Sequence, residues 1–340
     1  MNLLMRDRVM GTYCSNCLGK KTIGNASMQG TCDFCGASDV ELYEFSVLQQ
    51  NLEFLLDIYI PDNEGLLLQE RLRLDWRLFE KMSHEQASIC LAELLGDEVS
   101  SKKYRIRNNR ETDFASWDSL KDELKFRNRY FLTNKLSQTD FSNLLQLLIA
   151  DENTLPSTWY RARKLSSDKS SFSSTEMGAP PCGKAQSGRA NPVGISYLYL
   201  STDIDTCIAE IRPQVEERVC IASFVLSQNL NLVDLREPRK QISPFVYEES
   251  EDNERLLANV PFLESLEKEL STPVLPDTKE IDYLPAQYVC EFIKNCGFDG
   301  VLYSSSLGEG TNLALFDTRK AKIQKVDSTY KVNNIRYEYS

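Results

Sequence analysis

A chain of 340 residues, 41% hydrophobic and 26% charged, has the material for two or three globular domains, and no stretch approaches the ~20 apolar residues of a membrane span. Its net charge of −11 repels phosphate backbones, so nucleic acid is a poor partner for the whole chain and would need a local basic patch in the N-terminal region. The single histidine, His84, excludes a multi-histidine metal centre and obliges any Ser-His-Asp or Cys-His catalysis to run through one residue. An enzyme built from this inventory works mainly with carboxylates, Arg, Ser and Tyr.

The opening MNLLMRDRVM carries Arg6 and Asp7 with no apolar run behind it, which is not the pattern of a secretory signal. The expectation is a cytoplasmic protein in a reducing compartment, with no disulfide framework. No internal repeat is found at a solenoid period. Composition separates three regions. Residues 1–40 are small, contain glycine and are rich in cysteine; 41–150 are dense in Leu, Glu, Lys and Arg and read as helical. From about 157 onward, glycines, prolines and short β-branched runs read as α+β, with the polar, Pro156-containing segment 151–157 as linker. The domains expected are therefore 1–40, 41–150 and 157–340.

In chain order, Ser83 followed by Gln86 predicts a capping box opening a helix through Leu95, ended by Gly96 and Asp97. Trp117, Leu120, Leu124 and Phe131 share one side of a helix expected over Asp113–Phe131, and Asp140 is the expected N-cap of the next. Strands are expected at Trp159–Arg163, Leu198–Ser201, Val219–Leu226, Leu230–Leu235, Gly300–Ser305 and Asn312–Phe316. Helices are expected at Ile204–Ile211, after Asp203, and at Tyr283–Cys296. The acidic stretch 247–282 reads as a solvated, partly helical insertion. The tail from Tyr330 to Tyr339 reads as two strands about Asn333-Asn334.

Cys14-Ser-Asn-Cys17 and Cys32-Asp-Phe-Cys35 are two CxxC pairs with fourteen residues between them. Each such turn aims two thiolates at one point, and two turns supply the four sulfurs of a closed tetrahedral site. Structural zinc is the expected occupant, with rubredoxin-type iron as the other metal suited to four thiolates. Gly19, Gly30 and Gly36 lie where knuckle turns need unusual backbone angles. With no open coordination position, the site is a folding staple or a recognition surface rather than a catalyst. The scattered Cys90, Cys182, Cys207, Cys220, Cys290 and Cys296 read as buried small apolar residues.

Four C-terminal segments need explaining together: Trp159-Tyr-Arg-Ala-Arg163, the Gly188–Ser201 run GRANPVGISYLYLS, Thr206-Cys-Ile-Ala-Glu-Ile-Arg-Pro213, and the Gly300–Phe316 run GVLYSSSLGEGTNLALF. With Glu176-Met-Gly-Ala-Pro-Pro181 and Asp282-Tyr-Leu-Pro-Ala-Gln-Tyr288, their order over about residues 157–325 resembles the RES domain family, named for an Arg, a Glu and a Ser. The resemblance implies a mixed-sheet fold similar to ADP-ribosyltransferase toxins, NAD as substrate, and a role as a toxin of a toxin–antitoxin pair or an effector of antiviral defence. It places the catalytic residues at Arg161, Glu210 and Ser305. The family often has Tyr-Pro-Ser where this chain has Tyr303-Ser304-Ser305, so Ser304 and Ser306 stay open as the working serine, and Arg163 lies on the same strand face as Arg161. The residue types suit the chemistry. A carboxylate at Glu210 stabilises the oxocarbenium-like cation formed as the nicotinamide–ribose bond breaks. Arg161 can grip a pyrophosphate bidentately, with Arg189 as a second cation and Asn191 beside it. Tyr199 can stack on the nicotinamide, and Ser304 or Ser305 can hydrogen-bond its amide or ribose.

The expected activity is NAD glycohydrolase (a hydrolase) or NAD phosphorylase. The alternatives are ADP-ribosyl transfer to a macromolecule, or a binding scaffold with an inactive domain. A structural ion pair between Glu210 and Arg212 is the non-catalytic alternative for that glutamate. A neutralising antitoxin or activating protein is the expected partner, and a homo-oligomer stays open. The N-terminal half resembles the HEPN-related region of some such proteins. A weak Arg77–His84 pattern resembles HEPN ribonucleases, but Leu78 stands where a polar residue is often found.

Overall fold

The computed structural model describes residues 12–19, 28–107, 117–133, 136–247, 250–275 and 277–335. The fold is α+β, and the chain divides into two compact units: Met1–Asp113 with Glu237–Pro261, and Phe114–Arg236 with Phe262–Ser340. Thus helices Trp117–Phe126 and Gln138–Gln146, from the region read as helical by composition, belong to the second unit.

In the first unit, strands β1 (Tyr13–Cys14), β2 (Met28–Gly30) and β3 (Val40–Tyr43) form an antiparallel sheet in the order β1-β3-β2. Helices Phe45–Leu56, Leu68–Trp76 and His84–Leu95 follow. The last opens as expected: Ser83 Oγ accepts from Gln86 N (3.1 Å), and Gln86 Oε1 accepts from Ser83 N (2.9 Å). Composition hides a second sheet here, β4 (Tyr59–Leu67) paired antiparallel with β5 (Lys103–Ile106). The run YIPDNEGLL has no alternation to announce a strand, because a register shift between Pro61 and Leu66 interrupts the pairing. Arg77 caps the helix before it in the left-handed region and pairs with Glu80, while His84 is exposed at a helix start, so nothing joins the two into a site.

The second unit is organised by a seven-stranded sheet: β6 (Trp159–Lys164), β7 (Leu198–Ser201), β8 (Arg218–Leu226), β9 (Leu232–Asp234), β10 (Gly300–Ser304), β11 (Thr311–Leu315) and β12 (Ala321–Lys331). Their order is β12-β8-β6-β7-β11-β10-β9, antiparallel throughout except the parallel pair β9/β10. Alternation sorts the two faces. Trp159, Leu198, Leu200, Phe224, Leu302, Leu313 and Leu315 bury themselves in the main core. The opposite face carries Tyr160, Ala162, Tyr199, Ser201, Tyr303 and Asn312. Helix Ile204–Glu210 lies over part of that face, with Cys207 against Ala162 and Ile221.

Five expectations are corrected. The acidic stretch is not a solvated insertion: helix Ser250–Ser271 buries Leu256, Val260, Leu263, Leu266 and Leu270 at helical spacing. Within the second unit, its carboxylates meet cations of helix Trp117–Phe126; Lys121 pairs with Glu269 (2.7 Å) and Lys125 with Asp282 (2.6 Å). Ser137 rather than Asp140 caps helix Gln138–Gln146, because its hydroxyl accepts from Asp140 N. Of the tail expected as two strands, only Tyr330 and Lys331 are in a strand, as the end of the long β12 against β8; Asn333-Asn334 follow it outside any strand, and 336–340 lie outside the described residues. Cys182 is exposed and Cys296 half-buried, unlike the other four scattered cysteines. The helix expected over Asp113–Phe131 spans Trp117–Phe126, and 113–116 lie outside the described residues.

Candidate active site

Helix Ile204–Glu210 is pinned at its start by Asp203. Its Oδ1 accepts from Thr206 N (2.7 Å), and its Oδ2 accepts from the hydroxyls of Thr206 (2.9 Å) and Thr202 (3.0 Å). Burial raises the Asp203 carboxyl, but these donors outweigh it and hold the group below its ordinary range. The β10–β11 loop is tied to the same point: Gly310 N donates to Thr206 Oγ1 (3.0 Å) and Thr311 N to Thr202 Oγ1 (3.0 Å). A Cβ on Gly310 would stand 2.0 Å from Asp203 Oδ2, so only glycine permits this approach. The loop is thereby held so that Ser305 reaches Glu210 at the far end of the helix.

Ser305 Oγ donates to Glu210 Oε1 (2.7 Å) and accepts from the backbone N–H groups of Leu307 and Gly308 (3.1 Å each). One donor and two lone pairs are all a hydroxyl has, so Ser305 is saturated within the protein. The same Oε1 accepts from Asn312 Nδ2 (2.6 Å), whose Oδ1 accepts from Ser201 Oγ (2.7 Å). No ion pair joins Glu210 to Arg212 among the described residues, which removes the structural pairing as the reason for that glutamate. Ser304 lies opposite Thr311 on β10, and alternation from Tyr303 turns it toward the face of Leu302, away from Glu210.

Arg161 and Arg163, indistinguishable by strand parity, have different surroundings. Arg163 donates to Glu176 O and lies over the Phe172 ring at 4.6 Å. Arg161 sits where the sheet opens: β6 and β7 share one register pair, Tyr160↔Ser201, and beyond it the Arg161 guanidinium donates to the Tyr199 carbonyl (3.3 Å). Its Nε is buried with no partner, and no carboxylate pairs with it among the described residues. Burial, with neighbouring Arg163 as the smaller cause, pulls it down from 12.5 to about 10.

The loop after Gly188 is built around Tyr199. Its hydroxyl accepts from Ala190 N (3.0 Å) and donates to Asn191 Oδ1 (2.7 Å), and burial raises its pKa. Asn191 is 3% exposed, and its Nδ2 donates to the carbonyls of Gln186, Pro192 and Ile195. Its amide is therefore consumed in holding the loop and does not line the cavity described next. A Cβ on Gly188 would stand 2.4 Å from Asn191 Oδ1, which explains glycine there without any phosphate cradle. Gln287 clamps the loop from outside, donating to Ser187 Oγ (2.9 Å) and Gly188 O (2.7 Å). Arg189 donates to Thr272 O and lies over the Tyr283 ring at 5.7 Å.

These parts surround a cavity of about 450 Å³, within the range of small-ligand sites. Arg161, Arg189, Arg212 and Lys279 line it with a single carboxylate, Glu210, and no salt bridge engages any of the four cations among the described residues. In a chain of net charge −11, this is a locally cationic pocket suited to a polyanion. Tyr160, Tyr199, Tyr283 and Tyr303 supply aromatic wall. Asn312, Ser201, Tyr303, Tyr283, Gln287 and Lys279 were not singled out from the sequence. The first three share the strand face of Tyr199, a parity that could have marked them.

In the first unit, Cys14, Cys17, Cys32 and Cys35 bring their sulfurs within 4.8 Å of one another. The spacings are 3.5 Å (14–17), 3.7 Å (14–35) and 4.0 Å (17–32). Tetrahedral thiolates about 2.3 Å from a metal stand about 3.8 Å apart, so the donor set fits a closed four-sulfur site. Gly19 (φ +79°) and Gly36 (φ +73°) provide the left-handed turns. Gly30 has no such angle; a Cβ there would lie 2.8 Å from Leu42 Cδ1, so close strand packing is its reason.

No helix among the described residues is long and apolar enough to cross a membrane. No curated protein matches the chain. Among solved structures, that of the M. tuberculosis MbcT–MbcA toxin–antitoxin complex contains a chain aligned over 56% of this one and 92% of its own length, at 14% identity and a TM-score of 0.31. The model of the RES domain family matches residues 158–339, more than half of the chain and the whole of the sheet that carries Arg161, Glu210 and Ser305, so this protein belongs to the RES domain family.

Proposed function

We propose that this chain is an NAD-consuming toxin that breaks the bond between nicotinamide and ribose. The observation that carries the proposal is the half-buried Arg161, without a carboxylate partner among the described residues and with its Nε buried and unsatisfied, in one cavity with Glu210. An uncompensated buried cation is unfavourable for a fold and is retained where an anionic ligand completes it. A pyrophosphate supplies that anion, with Arg189, Arg212 and Lys279 as further cations. Glu210, whose Oε1 is held by Ser305 and Asn312, has Oε2 available for the ribose. As the glycosidic bond breaks, its electron pair leaves with nicotinamide, which departs neutral, and positive charge develops on the ribose ring. The Glu210 carboxylate stabilises that charge. Water then adds through oxygen at the anomeric carbon and releases its proton to solvent, or a phosphate anion adds through a deprotonated oxygen with no proton lost. Tyr199 and Tyr283 offer ring faces to the bases. Ser305, saturated by its own loop and Glu210, positions the carboxylate rather than touching substrate.

The four-cysteine cluster is proposed to hold a structural zinc ion, since its donor set is all-thiolate and closed. A protein that destroys NAD must be restrained in the cell that makes it, so a neutralising antitoxin partner belongs to the same proposal. The test is chromatography of NAD incubated with the intact protein and with Glu210→Gln. Nicotinamide release that disappears in the variant is the expected result. Free ADP-ribose identifies water as acceptor, ADP-ribose-1″-phosphate identifies phosphate, and a labelled protein band identifies a macromolecule. NAD left intact by the wild-type protein, with phosphate and candidate partners present, overturns the proposal.

A further inference from the structure

We infer that Asn312 is a positioning residue that, together with Ser305, holds Glu210 by one oxygen and leaves the other facing the cavity. The inference rests on the proposed role of Glu210 and deepens it. Asn312 is 4% exposed on β11, opposite Ser201 of β7, itself 4% exposed. Glu210 Oε1 accepts only, so the side of Asn312 that meets it must be the amide nitrogen. The Asn312 oxygen is then left to accept from Ser201, as it does. The pair Ser201–Asn312 is thus a two-link brace that sets the amide orientation from a neighbouring strand. Ser305 brings the second donor from the β10–β11 loop. Two donors arriving from different elements fix the carboxylate plane, since rotation about the last side-chain torsion would break both bonds. The main apolar core lies on the other face of the sheet, and on the face of Asn312 the apolar cluster is that of Ala162, Cys207 and Ile221. A buried asparagine bonded at one end to Glu210 and at the other to its own brace, Ser201, is placed to orient the carboxylate.

Asn312→Ala removes the donor, and Asn312→Asp replaces it isosterically with an acceptor facing Glu210. The Ala variant is expected to lose about 10- to 100-fold in kcat for NAD, with KM within about twofold, as misorientation of a reacting group requires. The Asp variant keeps the shape and places two carboxyl groups at hydrogen-bond distance, so one proton is shared between them. Carbon-detected NMR titration of the labelled protein is then expected to show a carboxyl titration displaced above the ordinary range in Asn312→Asp alone. That readout needs no turnover. If the wild-type protein spares NAD, the functional proposal fails while the titration still tests the contact. Retention of more than half of kcat in Asn312→Ala, a loss carried by KM alone, or no displaced carboxyl in Asn312→Asp overturns the inference.

Discussion

Replacing Arg161 by methionine should stabilise the folded protein while removing its activity. In the substrate-free chain, burial and Arg163 hold the Arg161 guanidinium at about 10 instead of 12.5. At 1.36 kcal/mol per tenfold change, the charged form is disfavoured on folding by about 3 kcal/mol. The sign follows from linkage. A base with a depressed folded pKa binds fewer protons folded than unfolded between the two values, so the penalty is fully present below about pH 10 and fades as pH rises toward 12.5. Methionine fills similar volume without charge and recovers that penalty. It forfeits the bond to the Tyr199 carbonyl, which costs about 1 kcal/mol, so the net gain is about 2 kcal/mol. For a unit of this size the melting temperature should rise by roughly 4–8 °C in the absence of NAD. NAD should raise the melting temperature of the wild-type protein and leave that of Arg161→Met unmoved. Calorimetry with and without NAD, alongside chromatographic NAD loss, measures both. A lower melting temperature in Arg161→Met would refute the reasoning, for it would make Arg161 a structural residue.

Glu210→Gln preserves the acceptor used by Ser305 and Asn312 while removing the charge, so kcat should fall about 10²–10³-fold with the melting temperature within ~2 °C; more than a tenth of wild-type kcat would contradict the role given to the carboxylate. Ser305→Ala should lower kcat at least about tenfold, whereas Ser304→Ala, on the other face of the sheet, should leave it within about twofold; the reverse order would move the working serine. Gly310→Ala drives a methyl against Asp203 and Thr206, so a destabilisation of about 1–3 kcal/mol with loss of activity is expected in denaturant unfolding and the NAD assay. Elemental analysis should find one zinc per chain, released by a mercurial only as the four cluster thiols react in addition to the exposed Cys182, and lost in Cys17→Ser; a metal content near zero in freshly purified protein would count against the site.

Much of the second unit was legible along the chain. Outside residues 247–282, the main strand and helix positions from Trp159 to Phe316 follow from local alternation, from the Asp203 cap and from glycine-bounded turns, all properties of neighbours in sequence. The CxxC pairs announced a four-thiolate cluster because turn geometry is local and cysteine spacing records it. The motifs around Arg161, Glu210 and Ser305 marked the segments that meet at the cavity, and the single histidine excluded most other chemistries. Sequence failed where partners are distant. The carboxylates of Glu269 and Asp282 looked solvated because Lys121 and Lys125, which face them, lie more than 140 residues earlier. Arg161 and Arg163 share strand parity, so only the opening between β6 and β7, a property of the assembled sheet, separates a cation with no carboxylate partner among the described residues from one spent on Glu176 and Phe172. The spare serines of Tyr303-Ser-Ser-Ser306 were equivalent until the loop tied to Thr206 brought one hydroxyl to Glu210. Asn312 was invisible for the same reason: a hydrogen bond across 102 residues leaves no periodicity behind, and chain closure alone decided which oxygen of Glu210 is held and which is free.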